Sequence, residues 1–166
     1  MKHIIMLATV HQLQKSGHFL NGELEDRLRY LREKFSFEII LEEWSKNQGP
    51  TFAADYANKL HLKWEDIGTS KEEQFSTYKY PINHPGHDGT LDSDPDAPEL
   101  SEYGPYERQE NREKQMLKNI QEKMGNHEVG LFIVGIAHLH SLFGKLESNG
   151  FKTTAYSWLT IRTQNR

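Results

Sequence analysis

The stretch from Val129 to Val134 is the most apolar in the chain, and Gly135-Ile136-Ala137-His138 follows it directly. It is far shorter than the ~18 or more uninterrupted apolar residues that cross a membrane, so it reads as a buried strand. A buried strand that ends in glycine and histidine sets an imidazole at the edge of a sheet, where a ligand can reach it. Ile4 to Val10 repeats the pattern near the N-terminus and delivers His11.

Between these strands the period changes. Leu24, Leu28, Leu31 and Phe35 recur at i, i+4, i+7 and i+11 after a Gly/Ser/Asn-containing loop, which is one face of an amphipathic helix. Phe37 to Leu41 is a short run rich in β-formers that closes with Glu42-Glu43, a second buried strand ending in carboxylates. Pro50 starts a second helix through Ala53, Ala54, Tyr56, Ala57 and Leu60. Leu62 to Ile67, less apolar, reads as a strand nearer an edge. Glu107 to Met124 is a helix, Leu142 to Leu146 a short one stopped by Gly150, and Phe151 to about Ile161 a last strand. Strands alternating with helices predict an α/β fold, a mostly parallel sheet with flanking helices in a single compact domain over 1–166. Residues 70–105, rich in Pro, Gly, Asp, His and Tyr, break the pattern and read as a lid-like insert or a disordered loop. There is no internal repeat.

Composition narrows the function classes. Twenty basic against 24 acidic residues give a net charge of −4 with no basic tract, which argues against nucleic acid as a partner. No segment is apolar enough for a membrane span, and Lys2 with Ile4 to Val10 lacks the small cleavage-site residues of a signal peptide. The absence of cysteine excludes disulfides, thiolate nucleophiles and zinc-thiolate sites, and fits a cytoplasmic protein. Nothing points to a nucleotide cofactor, and the oligomeric state is left open.

In parallel sheets ligands bind beyond the carboxyl ends of the strands. His11, Glu42 and His138 are each the first strongly polar residue after a core strand, so a parallel arrangement brings them to one edge. Two imidazoles and a carboxylate serve either as a site for Mn, Co, Zn or Fe, or as an acid/base pair oriented by a carboxylate. Any one of them alone is more often a solvated or capping residue, and it is the coincidence of three strand ends that gives the functional reading equal weight. Arg112, Met116 and Ile120 lie one turn apart on the same helix face, so Arg112 must be paired: in a structural ion pair with Glu42 or Glu43, as an anion clamp, or as the partner that holds a catalytic carboxylate in place, readings that are compatible. His140 lies two residues past His138 and could add a metal ligand if the strand continued. In the insert, Asp92-Ser93-Asp94-Pro95-Asp96 imitates a calcium loop but lacks its glycine and its final glutamate, and His84 and His87 are either metal ligands from a lid or turn residues.

Ala8-Thr9-Val10-His11, Ile40-Leu41-Glu42, Arg112-Glu113-Lys114-Gln115-Met116, and Gly135-Ile136-Ala137-His138-Leu139 with Leu142, Leu146 and Gly150-Phe151, taken in order, resemble the erythromycin esterase/ChaN/TraB-like superfamily, which includes the Tiki-type proteases. The resemblance implies a mixed α/β fold with a site at His11, Glu42, Arg112 with Glu113, and His138. It departs at Ala8, where glycine is usual, at Glu113, where aspartate or asparagine is usual, and in the shortness of the chain. Members of the superfamily differ in chemistry, so the fold is a weaker guide to function than the site.

The leading expectation is a hydrolase of ester or amide bonds. In it His11 or His138 is the general base, Glu42 orients it or shares a divalent metal, Arg112 stabilises an oxyanion, and the insert closes over a small-molecule or peptide substrate. Two alternatives belong to other classes. One is a non-catalytic small-molecule or anion-binding module in the same crevice. The other is an interaction protein that uses Tyr78, Tyr80, Tyr103, Tyr106 and the acidic insert.

Overall fold

A computed structural model describes residues 1–44, 49–68 and 105–158, the last stretch with side chains from residue 109 onward. The insert therefore lies outside the described residues, except that its final residue, Pro105, opens a helix.

Five strands form one all-parallel sheet: β1 (His3–Thr9), β2 (Ile39–Glu42), β3 (Lys63–Asp66), β4 (Val129–Gly135) and β5 (Lys152–Ser157). Their spatial order is β3-β2-β4-β1-β5. The two most apolar runs, β1 and β4, are interior neighbours in register from His3 opposite Val129 to Thr9 opposite Gly135. The more polar strands, β3 and β5, take the two edges, where one side of the backbone faces water.

The helices are α1 (His11–Gln14), α2 (Asn21–Phe35), α3 (Phe52–Lys59), α4 (Pro105–Met124) and α5 (Leu139–Ser148). Successive strand residues point to opposite faces, so the core divides in two. Ile5, Leu7, Ile40, Leu131 and Ile133 pack against Leu13 of α1, Leu24, Leu28 and Leu31 of α2, and Ala53, Tyr56 and Ala57 of α3. On the other face Ile4, Met6, Ile39, Leu41, Phe132 and Val134 pack against Met116, Ile120 and Met124 of α4 and Leu142 and Leu146 of α5. The chain moves from β1 through β2 to β3 by way of α2 and α3, then returns through β4 to β5 by way of α4 and α5. Reversing direction while changing face gives every crossover the same hand, as the right-handed rule requires.

Three local details differ from the expectations. Pro50 precedes α3 rather than opening it: Thr51 is the N-cap, its hydroxyl accepting from the Ala54 amide at 3.1 Å. The loop after β1 begins with a single helical turn, α1, which puts His11 on a helix and not on a strand end. β4 stops at Gly135, and a 3-10 turn over Ile136–His138 leads straight into α5. Among the described residues no helix is long and apolar enough to cross a membrane.

Candidate functional site

β4 lies at the middle of the sheet, flanked by β1 and β2. The chain leaves β1 and β2 toward the face of α1, α2 and α3, but leaves β4 toward the face of α5. Connections that diverge to opposite faces open a crevice at the carboxyl ends of the strands. His11, Glu43, Gly135 and His138 stand there.

The carboxylate in this crevice is Glu43, not Glu42. Residue 42 has the parity of Ile40 and faces α1 and α3, whereas residue 43 has the parity of Leu41 and faces α4. Glu43 remains tied to the sheet, its amide donating to the Ile133 carbonyl at 2.9 Å. Its side chain is 3% exposed and meets Arg112 Nη2 at 3.1 Å, while Oε2 accepts the Gly135 amide at 2.9 Å. Burial alone would raise its pKa, but the electrostatic pull of His138, Arg112 and His11, with the Gly135 N–H, holds it below the ordinary carboxylate value.

Glu42 is fully buried on the opposite face. Its Oε1 accepts from Gln14 Nε2 at 3.0 Å, and its Oε2 accepts from Thr51 Oγ1 and Trp64 Nε1, each at 2.7 Å. Burial dominates there: despite three donors, its pKa is pushed up to about 7, helped by the nearby Asp66 charge. Glu42 therefore ties α1, α3 and β3 together and does not touch the histidines' crevice.

His138 connects the crevice to α4 and α5. Its side chain is 10% exposed, and Nδ1 lies 2.9 Å from Glu113 Oε1 while Nε2 approaches Glu43 Oε1 at 3.5 Å. Glu113 also receives Gln109 Nε2 on Oε1, at 3.1 Å, and Ser141 Oγ and Lys145 Nζ on Oε2, the latter at 2.8 Å. Burial pushes this carboxyl up, yet the hydrogen bonds from His138, Lys145, Ser141 and Gln109 prevail and bring it down to about 2. An ionised carboxylate only accepts, so the proton in the bond between the two residues belongs to His138 Nδ1. Nε2 is then the atom turned toward the crevice.

His11 approaches from the other side. A methyl group added to Gly135 would meet Glu43 Oε2 at 3.3 Å, His11 Nε2 at 3.6 Å and His138 Cδ2 at 3.9 Å, so these three side chains converge over the Gly135 Cα. His11 rests against Trp44, ring centroids 6.2 Å apart, and its buried Nδ1 has no hydrogen-bond partner among the described residues. Gly135 here has φ of −59°, so it is needed for close approach and not for an unusual backbone angle.

Of the residues expected from the sequence, the structure thus brings together His11, Arg112, Glu113 and His138, replaces Glu42 by Glu43, and leaves His140 exposed on the first turn of α5. Sequence reading missed Gln109, Ser141 and Lys145 around Glu113. Ser141 and Lys145, three and seven residues past His138 on a predicted helix, carried the signal: that spacing returns them to the same face.

A divalent metal fits this arrangement poorly. Both Glu42 oxygens are engaged away from the crevice, His138 Nδ1 is committed to Glu113, and the Arg112 guanidinium occupies the side of Glu43 that a second cation would need. Among the described residues no group of three His, Asp or Glu side chains is placed to hold a metal ion. His84, His87 and the aspartate-rich run of the insert lie outside those residues.

Fold and site together define a parallel α/β protein with a carboxylate-histidine-carboxylate cluster at its switch point. No family model, curated protein or solved structure matches the chain.

Proposed function

We propose that the crevice is a hydrolytic site in which His138 is the general base, acting on water against an ester or amide carbonyl. The observation that carries this reading is the 2.9 Å contact of His138 Nδ1 with the ionised Glu113, which leaves Nε2 facing Glu43 and His11 over Gly135. A buried carboxylate behind an imidazole fixes its tautomer and stabilises the imidazolium that forms when Nε2 takes a proton. Water attacks the carbonyl carbon as Nε2 removes its proton. The tetrahedral adduct then collapses as the leaving group is protonated, by His138 or by His11 from the opposite wall. Arg112 holds Glu43 ionised beside Nε2, so that Glu43 helps to orient the water.

The order of the sequence fragments that resemble the erythromycin esterase/ChaN/TraB-like superfamily supports the same reading, with Glu43 in the position first assigned to Glu42. The test is hydrolysis of a panel of p-nitrophenyl esters and peptide anilides by the unsubstituted protein, His138→Ala, His11→Ala and Glu113→Gln. Turnover that His138→Ala leaves unchanged would refute the assignment of the base. Saturable binding by a folded protein with no turnover across the panel would favour a binding module in the same crevice.

A further inference from the structure

Ser141 and Lys145 stand one turn apart on α5, with Lys145 Nζ 2.6 Å from Ser141 Oγ. A serine beside a lysine could be a nucleophile with its base. The hydrogen bonds point elsewhere. Lys145 Nζ has three protons and three acceptors: Ser141 Oγ at 2.6 Å, Glu113 Oε2 at 2.8 Å and Glu110 Oε2 at 2.9 Å. Ser141 accepts from the lysine and gives its own proton to Glu113 Oε2. Two carboxylates keep Lys145 charged, so it has no lone pair with which to activate a hydroxyl.

The two oxygens of Glu113 are used differently. Among the described residues Oε2 is held by α5, through Ser141 and Lys145, while Oε1 takes His138 Nδ1 and Gln109. His138 itself begins α5 as its N-cap, so the helix that carries the imidazole also grips the far oxygen of the carboxylate behind it. Around His138 the other charged or titratable side chains among the described residues are Glu43 after β2, His11 on α1, and Arg112 and Glu110 on α4.

We infer that Ser141 and Lys145 are positioning residues: together they lock the Glu113 carboxylate with one oxygen on His138 Nδ1, and so fix the tautomer that presents Nε2 to the crevice. The inference deepens the reading of His138 as a base and rests on it. Its test reads the imidazole directly and needs no substrate, so the two can fail separately.

The experiment is 15N NMR of the histidine side chains at neutral pH in the unsubstituted protein, in Ser141→Ala with Lys145→Met, and in Glu113→Ala. The unsubstituted protein should show His138 as the Nδ1–H tautomer with a hydrogen-bonded, slowly exchanging ring proton. Glu113→Ala should abolish that signature, and the double variant should weaken it toward a mixture of tautomers. Should the double variant fail to fold, Ser141→Ala alone and Lys145→Arg decide: the first should weaken the signature and the second keep most of it, and a folded Ser141→Ala with the signature unchanged overturns the inference. If hydrolysis is found, the double variant lowers kcat about 10- to 100-fold at unchanged KM, the usual size of an outer-shell defect. A folded double variant in which the His138 tautomer and ring-proton exchange are unchanged overturns the inference, whatever happens to its thermal stability.

Discussion

Glu42 makes the stability of this protein depend on pH in an unusual direction. Its carboxyl rises from an ordinary 4.5 to about 7 because burial outweighs the three donors that face it. The folded state therefore binds this proton more tightly than the unfolded chain does. Below about pH 4.5 both states are protonated and the group leaves stability untouched. Through the window from about 4.5 to 7 the unfolded chain ionises freely while the folded state resists, so stability falls as pH rises. At about 1.4 kcal/mol for each pH unit, the full loss is roughly 3 kcal/mol above pH 7. His3, whose pKa burial lowers, works oppositely in an overlapping window, so the slope of one protein is not enough. The assay is urea unfolding at pH 5 and pH 8 for the unsubstituted protein and Glu42→Gln. The amide cannot match all three donors, and one buried donor left facing another costs about 1–3 kcal/mol. That cost is the same at every pH and cancels when the pH 5 and pH 8 values are subtracted. The variant should therefore gain on the unsubstituted protein, between pH 5 and pH 8, most of the roughly 3 kcal/mol assigned to Glu42. Parallel dependences in the two proteins would refute the claim that burial governs this carboxylate.

The crevice gives three further expectations. Gly135→Ala has a compatible backbone and should change stability by no more than about 1 kcal/mol, yet its methyl lies among Glu43, His11 and His138 and should cut any hydrolysis about 100-fold, a gap that thermal unfolding and kinetics measure side by side. Arg112→Ala strands a carboxylate that is 3% exposed and should destabilise by about 3 kcal/mol in urea, with part of the loss regained on adding Glu43→Gln. Thr51→Ala removes the N-cap of α3 together with a donor to Glu42 and should cost about 2 kcal/mol, more than a cap alone, as read by the urea midpoint.

The sheet was largely readable from the chain. Val129 to Val134 and Ile4 to Val10 have the uniform apolarity of strands covered on both faces, and the helical period of Leu24, Leu28 and Leu31 is unbroken. The four residues of α1 were not readable, because one turn is too short for a period to register. Glu43 stayed hidden for a different reason. Strand alternation says that Glu42 and Glu43 face opposite ways, but β2 is apolar on both sides, so nothing in its pattern tells which carboxylate faces the histidines.

The sequence by itself determined that His11, a glutamate and His138 would reach one edge, since parallel strands all end on the same side and each residue comes soon after its strand. Only the tertiary structure decided which glutamate, and only it paired Glu113 with His138 and Arg112 with Glu43. Those pairs join residues 25 and 69 positions apart. Local pattern fixes what an element is and which way it ends. The distances between side chains on different elements depend on how α4 and α5 settle against the sheet, and that is set by the packing of the whole apolar face of Met116, Ile120, Leu142 and Leu146.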